Sequence, residues 1–538
     1  MSRSKDNRGP VLGRRQVGGL AVGAVAVATL PTIAMAADAS TFLSGNGLPG
    51  NLDPHQVYDV PMQGVMLNAY DNLYRYENDP PQIVPWLAES HTVSEDGLTW
   101  QFKLRPNVKF HDGSPLGADD VVYSFRRVLA LALAPSSAFL KILKPENVTA
   151  VDPLTVRFKL ETSYAPFFAA IPSISIVNPR VIKANEKDGD WGKTWLASSG
   201  AGSGAYKIIP AGYRPLEYLD MEIFDDHFLG WKDNPKPVKK IAFRPTKETS
   251  TRILAVLNGT LDCTDGNLPA DQVDEINKSK IAYVQKDVVM KTFVIRMNNT
   301  KPPFNNLNAR KAFAHAFNYM GFINDILGGY ATRDPYPMPE NLWGIPKDAK
   351  GYDYDLKMAK EYVAKAIAEG APMKRQFELH VQSENEQSVQ GAQVFQADLA
   401  QIGINLKVVG NIWSNLTTQA AKPETTPDMW VHWVSTYFVD PENWVGQMYD
   451  SQFHGTWKAS SYYKNDQVDA LLRKARAEIK QEARAPLYEE AIRKIMADSP
   501  DIWIYNSMQL QGMSKRVKGR RFCTVGQGAE MRWITLES

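Results

Sequence analysis

The stretch KLRPNVKFHDGSPLGADDVVYSF, Lys103 to Phe125, brings together side chains that could do chemistry. His111 stands beside Asp112, Ser114 follows two residues on, and Asp119 and Asp120 form a carboxylate pair. Such a set could serve nucleophilic or acid–base catalysis, or hold a cation. The elements around it argue for a structural use. Leu98, Trp100, Phe102 and Leu104 alternate with polar residues, which is the period of a strand with one buried face, and Val108 and Phe110 repeat the alternation. His111-Asp112-Gly113 then reads as a turn. Val121, Phe125 and Val128 recur at helical spacing, with Val122 and Leu129 beside them, so a helix follows. Asp119 and Asp120 fall in its first turn, where exposed N–H groups and the helix dipole favour carboxylates. Asp112 is thus expected to shape a turn, and the aspartate pair to start a helix.

Other catalytic patterns are missing from the sequence. There is no HExxH, no phosphate-binding loop and no GxSxG elbow; AGSGA (201–205) has Ala where the flanking glycines around Ser203 would sit. The eight histidines include no pair at i, i+3 or i, i+4, so a helical metal clamp is absent. Cys263 and Cys523 are the only cysteines, which excludes a Cys-rich metal site. Bonded, they would close a loop worth roughly 5 kcal/mol on the chain-entropy account; two buried free thiols are the other reading. No enzyme activity, metal or cofactor is expected.

At 538 residues the chain is long enough for at least two domains. Its composition is ordinary for a globular protein, with 44% hydrophobic and 22% charged residues. Arg14-Arg15 precedes 22 residues without a formal charge, Gln16 to Ala37. That run is too rich in Gly and Ala, and too interrupted by Pro31, for a membrane span. Ala34-Met35-Ala36 supplies a signal-peptidase pattern, so residues 1–36 are expected to be a cleaved export signal. The arginine pair suggests the twin-arginine route, and no Cys stands at the new terminus to make a lipoprotein. Removing residues 1–36 leaves 56 Lys+Arg against 58 Asp+Glu, a balance with no footprint for nucleic acid or anionic lipid.

The segment GLTWQFKLRPNVKFHDGSPLGADDVVYSF closely resembles the signature of extracellular solute-binding proteins of the peptide/nickel ABC transporter type, solute-binding protein family 5. Gly117 replaces the family's usual Thr or Ser helix cap, a tolerated change. Five further segments resemble the family in the correct order: NLDPH (51–55), GSGAYKI (202–208), ILAVLNGTLDCTDG (253–266), ARKAFAHAFN (309–318) and residues 460–506. The resemblance implies an α/β, two-lobed periplasmic-binding-protein fold, type II and cluster C-like, with an additional third domain. Lobe I would comprise residues 37–67, 196–285 and 500–538; residues 68–195 would form the additional domain, and 286–499 lobe II. Two strands near 286–296 and 498–506 would be the hinge. Both cysteines then fall in lobe I, which favours the disulfide slightly.

The resemblance also locates a ligand site. MWVHWVSTYFVDPENWVGQMYDS (429–451) begins as a strand, and Asp440-Pro441 reads as a helix start facing the cleft. In peptide-binding members an Asp three residues before this pair holds the ligand's ammonium; here that position is Tyr437. A Tyr offers a stacking face and a hydroxyl but no charge, which suits a neutral, sugar-like or blocked group. Trp433, Trp444 and Trp457 are expected as aromatic walls, with Asp440, Tyr505 and Asn506 as further contacts. The expected function is capture of a peptide-like or other small solute, handed to an ABC permease with its ATPase subunits by a periplasmic monomer. A receptor for an opine, oligosaccharide or conjugate, and a ligand-presenting sensor or chaperone, are the alternatives.

Overall fold

The computed structural model describes residues 40–537 apart from 58 and 384, so the predicted export signal lies outside the described residues. Three sheets organise the chain. The first has four strands in the order Thr41–Ser44, Lys240–Phe243, Tyr218–Ile223, Tyr206–Arg214; its first pair is parallel and the others antiparallel. Phe42, Tyr206, Met221 and Ile241 bury its inner face against Met513 and Ile534 from the far end of the chain.

The second sheet is antiparallel throughout, in the order Ala88–Val93, Thr99–Leu104, Thr155–Lys159, Val148–Asp152. The alternation read from the sequence is seen here: Trp100, Phe102 and Leu104 are buried. They pack in one core with Val121, Phe125 and Val128 of the helix Ala118–Leu131. Asp120 accepts from the Gly117 backbone N–H at 2.8 Å, closing the start of that helix, and Ala132 ends it in the left-handed region. Val108 and Phe110 are buried as well, but they form no strand; only a single Lys109–Pro115 bridge joins the two sides of the turn. Asp112 accepts from Ser114 N–H and Oγ–H and from Asn178 Nδ2. His111, whose pKa burial pulls down to about 4, faces the Gly204 carbonyl at 2.9 Å. The reactive-looking stretch is turn and scaffold.

The third sheet has six strands, ordered Ala331–Arg333, Asp501–Ser514, Ala282–Met297, Met429–Val434, Gln376–Gln382, Asn405–Asn411. Its last two neighbour pairs are parallel and the rest antiparallel. Two strands in it are long, Ala282–Met297 and Asp501–Ser514. One end of this pair, with Ala282, Val284 and Leu510, packs with the helix Thr249–Leu257; the other, with Phe293, Ile295 and Ile502, packs with Phe377 and Phe395. The pair therefore joins separate apolar cores. The closing helices Asp466–Ala477 and Gln481–Asp498 bury Val468, Leu472, Ile492 and Ile495 together. Asn465 caps the first of them, with Asp466 in its first turn and Lys474 and Arg476 in its last, a match to the helix dipole at both ends.

Candidate functional site

The two long strands floor a cleft. Their ladder runs from Ala282–Ser514 to Val288–Met508, breaks, and resumes at Thr292–Asn506. Across the break the backbone is satisfied by side chains from elsewhere. Met290 N–H donates to Thr524 Oγ, the Met290 carbonyl accepts from Thr436 Oγ–H, and Lys291 N–H donates to Asn506 Oδ1 at 2.8 Å. The Lys291 side chain leaves the break at the junction of two adjoining cavities, about 210 and 540 Å³, which share Asp265, Gly266, Asn267, Lys291, Gln509 and Gln527 in their walls. The larger is walled by Arg252 and Leu510 on one side and by Gln387, Gln390 and Trp433 on the other.

Three polar groups at this junction have unmet capacity. Lys291 Nζ lies 5.1 Å from the centre of the Trp433 ring and has no hydrogen-bond or ion-pair partner among the described residues. Burial pulls its pKa from 10.5 down to about 8, against the opposing pull of the Asp265 charge. Asp265 Oδ1 is buried without a hydrogen bond; Arg252 stands 3.5 Å from it and donates to the Thr246 and Lys247 carbonyls and Thr249 Oγ. Gln509, 6% exposed, donates to the Gln527 carbonyl and leaves Oε1 without a donor. Gly266 makes room for that amide, since a Cβ there would come within 2.8 Å of it. Buried polar groups are ordinarily hydrogen-bonded, so a cation and two acceptor oxygens without a hydrogen bond in one recess form a template for a polar guest.

A third cavity, about 710 Å³, opens between Gln56, Val57 and Asp59, residues 135–141 and residues 413–458. Tyr437, Trp413, Trp457 and Phe453 give it an aromatic wall. Lys458 sits in that wall, 4.7 Å from the Tyr437 ring centre, and donates to the Asn443 carbonyl, Asn443 Oδ1 and Gln447 Oε1. Its pKa is lowered to about 7 by burial, but its three donors are committed to the protein.

The residues expected from sequence fall into three groups. Trp433 lines the central cleft, and Tyr437 and Trp457 line the aromatic cavity. Tyr505 and Asn506 support the floor from beneath: Tyr505 stacks on Phe293 at 4.8 Å, and Asn506 accepts from Lys291 N–H. Asp440 and Trp444 line none of these three cavities. Asp440 caps Glu442 and takes both ends of the Arg484 guanidinium at 2.7 and 2.8 Å, while Trp444 is fully buried with Val445, Met448 and Ile492. Of the two readings of the cysteines, the structure has the free thiols. Cys263 and Cys523 are free thiols buried in different apolar clusters, and burial pushes both pKa values up to about 12.

Lys291, Asp265 and Gln509 are the residues that the sequence reading missed. A signal for Lys291 was present, a lone charge inside the apolar run VVMKTFVI (288–295). A Ser–Asp–His set does occur, but Ser203 Oγ–H donates to Asp71 rather than to His227, and all three are buried. Among the described residues no His/Cys/Asp/Glu group is placed to hold a metal, and no helix is long and apolar enough to cross a membrane.

Comparison with known proteins places this geometry in a family. Residues 82–455 match the family described as bacterial extracellular solute-binding proteins, family 5 Middle. The chain is 29% identical over 478 residues to the probable D,D-dipeptide-binding periplasmic protein DdpA of Escherichia coli K12, covering 88% of this chain and 89% of that one. It is 26% identical over 487 residues to heme-binding protein A of Haemophilus influenzae, covering 85% and 86%. Among solved structures, the periplasmic binding protein DppA of Helicobacter pylori in complex with the peptide STSA superposes with a TM-score of 0.79 at 27% identity, covering 93% of this chain and 98% of that one. With a family match over most of its length and the two-lobed fold of its structural neighbours, the chain belongs to family 5 of the bacterial extracellular solute-binding proteins, the substrate-binding components of ABC importers.

Proposed function

We propose that the chain works in the periplasm as a monomeric receptor that closes on one small solute at the Lys291 junction and releases it chemically unchanged to a separate permease and ATPases. The observation that carries this reading is the coincidence of three features at one point: the ladder break in the two long strands, the meeting of two cavities, and three polar groups with unmet capacity. The lobes assigned are 37–67, 196–285 and 500–538 for the first and 286–499 for the second, with 68–195 attached to the first. Rotation occurs at 286–296 and 498–506, stretches that flank and include the ladder break at Val289–Lys291. A guest stabilises the closed form because it touches both walls; moving the lobes from one part closed in a hundred to nearly all closed takes about 5.5 kcal/mol of differential affinity. Export through the twin-arginine route, with cleavage after Ala36, delivers it.

Tyr437 favours a non-peptide or blocked solute over an ordinary peptide, since it brings a stacking face and a hydroxyl but no charge of its own; the one carboxylate in the wall of that cavity is Asp59, which also caps the helix Val60–Ala69. Native mass spectrometry of the protein from its own periplasm is the test. A single small molecule released intact supports capture. A protein that emerges empty, and takes up nothing from periplasmic extract, refutes it.

A further inference from the structure

We infer that the captured solute carries a carboxylate that seats on Lys291, with a hydrogen-bond donor on its other side directed at Gln509 Oε1 and Asp265 Oδ1. This rests on the reading of the central cleft as the capture site. In that cleft Lys291 is the one cation whose head group is both recessed and without a protein partner among the described residues. Arg252 is engaged by two carbonyls, Thr249 and Asp265, and Arg520 is held by Asp287 at 2.7 Å. Lys247, also in the wall, is exposed to water.

The charge decides the class. Closing the cleft around a neutral sugar would strip water from the ammonium and return only hydroxyl acceptors with no opposing charge; closing it around a cation would add repulsion. An anion gains a charge-assisted hydrogen bond in a recess where such bonds are strong. A phosphate would bring more charge and more acceptors than one ammonium can satisfy, and no guanidinium fork is open to help, so a carboxylate fits. Gln509 Oε1, which has no donor, and Asp265 Oδ1, held only by the 3.5 Å ion pair with Arg252, call for an ammonium, amide N–H or hydroxyl on the same molecule. Trp433 covers the lysine at 5.1 Å and supplies a flat apolar face for what lies between.

The solute recovered from periplasmic protein, and its methyl ester, are the probes. Isothermal titration of the solute is expected to show about ten- to hundredfold weaker binding to Lys291→Met. The ester is expected to bind wild type with a similar loss and to show no further loss against Lys291→Met. Lys291→Arg is expected to recover part of the affinity, and Asp265→Asn and Gln509→Leu each to weaken binding about tenfold. A recovered solute without a carboxylate, a phosphate-bearing one, or a Lys291→Met affinity within twofold of wild type overturns the inference and leaves capture standing. Failure to recover any solute strikes at capture itself. A melting curve of each variant without solute separates lost contacts from lost folding.

Discussion

Replacing Lys291 with Met should make the empty protein more stable at neutral pH, although it removes a conspicuous feature of the cleft. The ammonium is held from 10.5 down to about 8 because burial disfavours its charge, and the folded state therefore carries a cost that the unfolded chain does not. At 1.36 kcal/mol per pH unit the ceiling on that cost is about 3 kcal/mol. Loss of the Trp433 contact returns about 0.5–1 kcal/mol, leaving about 2 kcal/mol in favour of the variant. With unfolding entropy near 2.1 cal/mol/K per residue over roughly 500 residues, that is a rise of about 2 °C in Tm. The sign depends on pH. A base with a depressed folded pKa costs stability in full below about pH 8; the cost fades as pH rises toward 10.5 and is gone above it. Differential scanning calorimetry of solute-free wild type and Lys291→Met at pH 7 and pH 10.5 reads the effect directly. A variant that melts at or below wild type at pH 7, or a difference that persists unchanged at pH 10.5, refutes the argument that the lysine is buried at a cost awaiting an anion.

Three other outcomes follow from the packing. Arg484→Met leaves the Asp440 carboxylate buried without its fork and should lower unfolding free energy by about 3–5 kcal/mol in urea titration; no change would remove that pair from the scaffold. Gly202→Ala should cost about 3 kcal/mol or more, because its Cβ would fall 1.9 Å from the Ala69 carbonyl oxygen, and a wild-type Tm would contradict that close approach. Dithionitrobenzoate should find no reactive thiol in the native protein and two after denaturation, and reductant should leave Tm unchanged; a drop in Tm on reduction would revive the disulfide.

Local periodicity carried most of the architecture. Val121, Phe125 and Val128 marked a helix that is there, and Trp430 to Val434 a strand found as Met429–Val434. It failed where partners are scarce. Val108 and Phe110 repeat the strand alternation, yet they form no strand, and a single Lys109–Pro115 bridge is the pairing beside them. The site was less legible. Asp440 was sensibly read as a cap, but its buried role comes from Arg484, 44 residues on, which no local pattern announces. Lys291 gains its meaning only from the ladder break opposite Asn506 and from the cavities that meet there, both tertiary facts.

The two free thiols set a kinetic condition on how this chain comes into being. With both pKa values pushed from 9.0 up to about 12, the thiolate share at pH 7 falls about a thousandfold below that of an ordinary thiol, so disulfide exchange with the folded protein is slowed by up to that factor before access is considered. Danger lies in the time spent unfolded, when both sulfurs have ordinary acidity and can be captured by an oxidant or by each other. A chain that crosses into an oxidising space already folded never meets that hazard. One that crosses unfolded must close its apolar clusters around Cys263 and Cys523 before the oxidant arrives, and its yield becomes a race between collapse and oxidation.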